Sequence, residues 1–63
     1  MKKGTVKFFN SQKGFGFIVD ETGNEIFVHV TNLKDEIRDN DSVSFDVEQG
    51  KKGLMAVNVR IAS

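Results

Sequence analysis

Lys13-Gly14-Phe15-Gly16-Phe17-Ile18 and Ile26-Phe27-Val28-His29-Val30 are two short runs of alternating rings and aliphatics, separated by the polar stretch Glu21-Thr22-Gly23-Asn24. Alternate positions on a strand share one face. A turn centred on Thr22 makes the runs an antiparallel hairpin, with Phe17 opposite Phe27 and Phe15 opposite His29. The other face takes Gly16, Ile18, Ile26 and Val28. Those aliphatics belong in a core, so three phenyls and one imidazole turn outward as a contiguous platform, neighbours about 5 Å apart at Cβ. Phe15 and Phe17 stand about 6.7 Å apart along their strand, roughly twice the ~3.4 Å rise of stacked bases. A bound strand must therefore splay its bases onto the rings, which a duplex does only at high cost. Lysines among the rings, Lys7 and Lys13, complete the mixture that stacks unpaired nucleobases.

Three further runs alternate in the same way: Gly4 to Asn10, Ser42 to Glu48 and Leu54 to Ile61. With Phe15 to Val19 and Glu25 to Val30 they make five strands. In the fourth, Val43, Phe45 and Val47 share the dry face; in the fifth, strict alternation puts Met55, Val57, Val59 and Ile61 there. Residues 31 to 41 lack a strand pattern and read as a connection. It has room for one helical or 3₁₀ turn begun by Thr31 or Asn32, with Leu33 and Ile37 facing inward. Residues 1–63 form one domain, and a sheet this small hides its edges by curling into a five-stranded antiparallel Greek-key barrel. The reading is all-β. A chain of 63 residues buries only about 60% of its unfolded surface, and with no cysteine for a disulfide the core must hold by packing alone.

Net charge is formally zero, but unevenly spread. Residues 1–19 carry four lysines and no acid, residues 20–50 hold all nine acids with only Lys34 and Arg38, and residues 51–63 add Lys51, Lys52 and Arg60. Local sign governs association more than the total does. The acidic stretch from Asp35 to Asp41 reads as a solvated surface that repels phosphate on its own side. One histidine and no cysteine exclude a zinc site built from those ligands, and neither a cofactor nor a metal is expected. An enzyme is not expected either: no nucleophile, base and orienting group come together, and no glycine-rich stretch ends in the phosphate-cradling Gly-Lys-Ser/Thr. No apolar run reaches the length of a membrane span or a signal-peptide core, so a cytoplasmic protein without a membrane partner is expected.

Gly4-Thr5-Val6-Lys7-Phe8-Phe9-Asn10, Lys13-Gly14-Phe15-Gly16-Phe17-Ile18, Phe27-Val28-His29 and Val43-Ser44-Phe45, in that order and over the whole chain, resemble the bacterial cold-shock proteins. The resemblance implies a barrel of the oligonucleotide-binding type that binds single-stranded RNA and DNA, melts RNA secondary structure and affects transcription termination and translation. It makes Phe15, Phe17, Phe27 and His29 the central stacking residues, with Phe8 at the family's usual tryptophan. Lys7, Lys13 and Lys52 then contact backbone or base edges. Phe9 and Asn10 lie near the ligand, and Glu25 stands where the family often has a base-binding aspartate. Strict alternation separates Phe8 from Phe9, so both serve one surface only if the first strand is bulged or strongly twisted. By analogy with the family, pyrimidine-rich strands are preferred. A monomer with no obligate protein partner is expected, the short connection at residues 34–36 leaving strand exchange between two copies as the alternative.

Three departures lower the expected affinity. Phe8 replaces tryptophan, Val30 stands where the family commonly has phenylalanine, and the connection after Leu33 is short and lacks the loop aromatic. At about 1–3 kcal/mol per stacked base, the remaining rings predict micromolar binding, about −8 kcal/mol after ordering costs. Leu54 and Met55, where the family usually has proline and a polar residue, remove one more hydrogen bond. Two rival readings compete. An RNA-recognition motif shares the Lys-Gly-Phe-Gly-Phe run but needs two amphipathic helices and the other aromatic motif earlier in the chain. A barrel that binds a proline-rich peptide is the alternative from another class, and it lacks the tyrosines and tryptophan of such grooves.

Overall fold

In the computed structural model, which describes residues 2–50 and 53–62, five strands close into a barrel in the order β1-β2-β3-β5-β4. They are β1 (Lys2–Asn10), β2 (Phe15–Asp20), β3 (Glu25–His29), β4 (Ser42–Gly50) and β5 (Gly53–Ile61). The expected all-β barrel is present. All neighbours are antiparallel except β3 and β5, which meet in a short parallel seam, Phe27 beside Met55 and Val28 beside Ala56. A parallel neighbour needs a long crossover, and the connection carrying β4 supplies it.

The β2–β3 hairpin has the register its alternation dictates: Phe15 opposite His29, Phe17 opposite Phe27, and Ile18 opposite Ile26. The core is Val6, Ile18, Ile26, Val28, Ile37, Val43, Phe45, Ala56 and Val59, with Phe9, Leu33 and Val47 packed against it. Every strand contributes, and the pleat of β2 and β3 sends their aliphatics in and their rings out.

Two bulges break the strict alternation read from sequence. In β1 the register shifts between Val6 and Phe8, so that Val6 faces Ile18 and Phe8 faces Phe17 with Lys7 as the extra residue. Lys7 and Phe8 consequently both turn outward and Phe9 turns in. In β5, Asn58 has a left-handed φ of 53° and the register against β4 shifts between Ser44 and Asp46. This shift corrects the phase expected for β5: Ala56 and Val59 are fully buried, whereas Met55 and Val57 are only half-buried and Ile61 is 38% exposed.

Residues 30–41 close one end of the barrel. A 3₁₀ turn over Val30–Asn32 is capped by the His29 side chain, not by Thr31 or Asn32 as their residue types predict. Ile37 is buried as expected, and Leu33 bridges Val59. The acids here do more than face solvent. Asp39 Oδ1 accepts the Phe9 N–H at 2.8 Å, Asp35 Oδ2 the Ile61 N–H at 3.1 Å and Asp41 Oδ2 the Arg38 N–H at 2.8 Å. Two of those N–H groups belong to strands β1 and β5, so carboxylates finish edges that no strand covers.

Candidate nucleic-acid interface

The outer faces of β1, β2 and β3 carry one continuous chain of rings. Phe8 lies 5.6 Å from Phe17 between centroids, Phe17 lies 5.9 Å from Phe27, and Phe27 lies 6.0 Å from Phe15 and 6.5 Å from His29. The bulge at Lys7 brings Phe8 into this chain by placing it across from Phe17. Only Phe15 and Phe27 are near parallel, at 26°; Phe17 meets Phe27 at 74°. The surface is corrugated, with its ring faces tilted against one another and not laid in one plane. Phe8 is 37% exposed, and Phe15, Phe17, Phe27 and His29 are half-buried against one another. The apolar surface also continues past β3, because Met55 is the cross-strand neighbour of Phe27 in the parallel seam.

Phe9 does not join the platform. It lies opposite Gly16 and packs, partly buried, against the core. The reason is the close crossing of β1 and β2: a Cβ on Gly16 would lie 2.3 Å from the Phe8 carbonyl oxygen and 2.8 Å from the Phe9 ring. Phe9 fills the space that glycine leaves.

The polar candidates fall into two groups. Asn10 organises the loop that carries Lys13, its Oδ1 accepting the N–H groups of Gln12 at 3.0 Å and Lys13 at 3.1 Å while its carbonyl accepts that of Gly14. Gly14 sits at φ +79°, which glycine adopts without strain. Lys7 and Glu25, both expected to meet the ligand, lie together as an ion pair: Nζ and Oε1 are 2.7 Å apart, both side chains about half exposed. An exposed pair of this kind is worth about 0–1 kcal/mol, so a phosphate or base edge competes for either partner at small cost. The pair stands at the end of the platform away from His29. Lys52 lies outside the described residues. No group of three or more metal-ligating side chains occurs among the described residues, and no described helix is long and apolar enough to cross a membrane.

A family model described as the 'Cold-shock' DNA-binding domain matches residues 2–62. The chain belongs to the cold-shock domain family. It is 47% identical to the cold shock protein CspC of Bacillus subtilis, over 98% of this chain and all of that one. It is 46% identical to the major cold shock protein of Streptococcus pyogenes serotype M18, over 94% of each. Among solved structures, drosophila Unr CSD456 superposes with a TM-score of 0.80 at 30% identity, over 98% of this chain and 26% of that one. Members of the family are nucleic-acid-binding domains that bind single strands and are not enzymes.

Residue typing alone missed two contributors to this surface. Asp39, thirty positions from Phe9 in sequence, pins the strand that presents Phe8, and an acidic residue in a loop carries no local mark of that role. Thr31 holds the His29 ring through its backbone N–H and hydroxyl; histidine is not among the usual capping residues, so the motif was hidden.

Proposed function

We propose that this domain binds single-stranded RNA and DNA with little sequence preference, favouring pyrimidine-rich strands, and acts as an RNA chaperone without ATP. The observation that carries the reading is the unbroken chain of five rings on one outer face, next to a core that is complete without them. Each stacked base is worth about 1–3 kcal/mol; with four or so stacks and the ordering cost, affinity for short oligonucleotides is micromolar. Unpaired strands present base faces and duplexes do not, so binding draws hairpins toward the open state by mass action. Effects on transcription termination and translation, and a part in cold adaptation, follow from melting such hairpins. Lys7 and Lys13 meet the backbone, as does Lys52 by resemblance to the family, and Glu25 accepts from a base edge once Lys7 turns to the ligand. The protein works in the cytoplasm as a monomer.

The test is a titration of labelled oligothymidine, oligoadenine and a duplex. Micromolar binding to the single strands with at least tenfold weaker binding to the duplex supports the reading; equal binding to the duplex overturns it. Competition of oligothymidine with a proline-rich peptide separates the remaining alternative, because peptide displacement of the oligonucleotide places both on the same rings.

A further inference from the structure

At one end of the platform, the His29 ring is held in a fixed orientation. Its Nδ1 lies 3.2 Å from the Thr31 backbone nitrogen and 2.9 Å from the Thr31 hydroxyl oxygen, and the same contact caps the 3₁₀ turn over Val30–Asn32. A backbone N–H only donates, so the Thr31 N–H contact calls for Nδ1 as the acceptor, while the hydroxyl contact fits either tautomer. The neutral ring then carries its proton on Nε2. That N–H is the ring edge directed away from Thr31, on a half-buried side chain across from Phe15 and 6.5 Å from the Phe27 centroid. Stacking requires only a ring face and no particular tautomer. A ring clamped at Nδ1 does more: it fixes a hydrogen-bond donor beside the seats where bases lie.

Resting on the single-strand reading above, we infer that His29 donates from Nε2 to an oxygen acceptor of the bound nucleotide, and that Thr31 is the positioning residue that sets its tautomer and aim. The acceptor is either a base carbonyl, present in thymine and uracil but absent from adenine, or a phosphate oxygen. Val30 beside it, 43% exposed, offers no ring of its own, so this end of the platform depends on the imidazole.

Labelled oligothymidine and oligoadenine of equal length are titrated against wild type, His29→Phe, Thr31→Val and the double variant. Phenylalanine keeps a stacking face and removes the donor; valine keeps the shape and the backbone N–H while removing the hydroxyl. His29→Phe is expected to weaken binding about threefold to tenfold, the worth of one net hydrogen bond. Thr31→Val is expected to weaken it about threefold, and to add nothing in the His29→Phe background. A loss on oligothymidine alone assigns the base carbonyl, and an equal loss on both strands assigns the phosphate oxygen. Nitrogen-15 chemical shifts of His29 in the free wild-type protein provide a readout that needs no variant: the Nε2-protonated tautomer is expected. Unchanged or tighter binding by His29→Phe, an unchanged Thr31→Val, a Thr31→Val loss that persists in the double variant, or a dominant Nδ1-protonated tautomer each overturn the inference. Because Phe17→Ala tests the platform separately, its loss of binding alongside an unaffected His29→Phe leaves the stacking reading standing while this one falls.

Discussion

Phe45 has no exposed surface, whereas Phe27 is half-buried among Phe15, Phe17 and His29. The pleat alone separates the two. Truncating Phe45 to alanine removes a core side chain at a cost of about 3–5 kcal/mol, comparable with all the stability that a domain this small holds; its circular dichroism should be that of an unfolded chain. Phe17→Ala and Phe27→Ala should keep the wild-type spectrum and lose about 1–3 kcal/mol of oligonucleotide binding each. Gly16→Ala should destabilise although it adds one methyl, because that methyl meets a backbone oxygen at 2.3 Å and neither strand can retreat without opening the ladder. Asp20 adds a pH-dependent contribution. Its Oδ1 accepts from the Thr22 hydroxyl and from the backbone N–H groups of Asn24 and Thr22, which holds its carboxyl below the usual value of 3.8. A carboxyl with a depressed folded pKa stabilises fully above its unfolded value, and that contribution disappears as pH falls through the folded value. Acid unfolding followed below about pH 4 should therefore be less steep in Asp20→Asn than in wild type.

Among the elements, the β2–β3 hairpin was legible residue by residue, because its alternation is unbroken and its turn is short enough to fix the register. The flanking strands were legible only as strands. One extra residue reverses the inside and outside of everything beyond it without altering composition, so the alternation of β1 and β5 gave the wrong faces after Lys7 and before Val59. Asn58 was the one local hint, since asparagine tolerates a left-handed φ. That conformation predicts that Asn58→Gly is near neutral, while Asn58→Val loses about 1–2 kcal/mol in a denaturant melt. The Lys7–Glu25 pair was not legible either: its partners sit on β1 and β3 with β2 between them, and only the curvature of the sheet brings them to 2.7 Å. Asp39 belongs to this scale as well. Replacing it with alanine leaves the Phe9 N–H without its carboxylate acceptor and should cost about 1–2 kcal/mol, read as a lower denaturation midpoint with an unchanged slope.

For the whole molecule, a neutral total charge conceals a division of labour. The acids of residues 35–41 are spent in part on backbone donors at one barrel end, while lysines of the first nineteen residues, which carry no acid, flank the ring face. Two or three lysine contacts to a single strand predict a log affinity against log salt slope of about −2; a slope near zero removes phosphate from the account. Under the proposed capture of unpaired bases, melting of a weak RNA hairpin should require stoichiometric protein and no nucleotide hydrolysis. Base capture depends on the outward rings, so the most direct measurement is the affinity of labelled oligothymidine for wild type beside Phe17→Ala and Phe27→Ala, with folding checked on the same samples. The account predicts micromolar binding by wild type and a loss of about fivefold to a hundredfold in each folded variant. Wild-type affinity retained by both folded variants would contradict it.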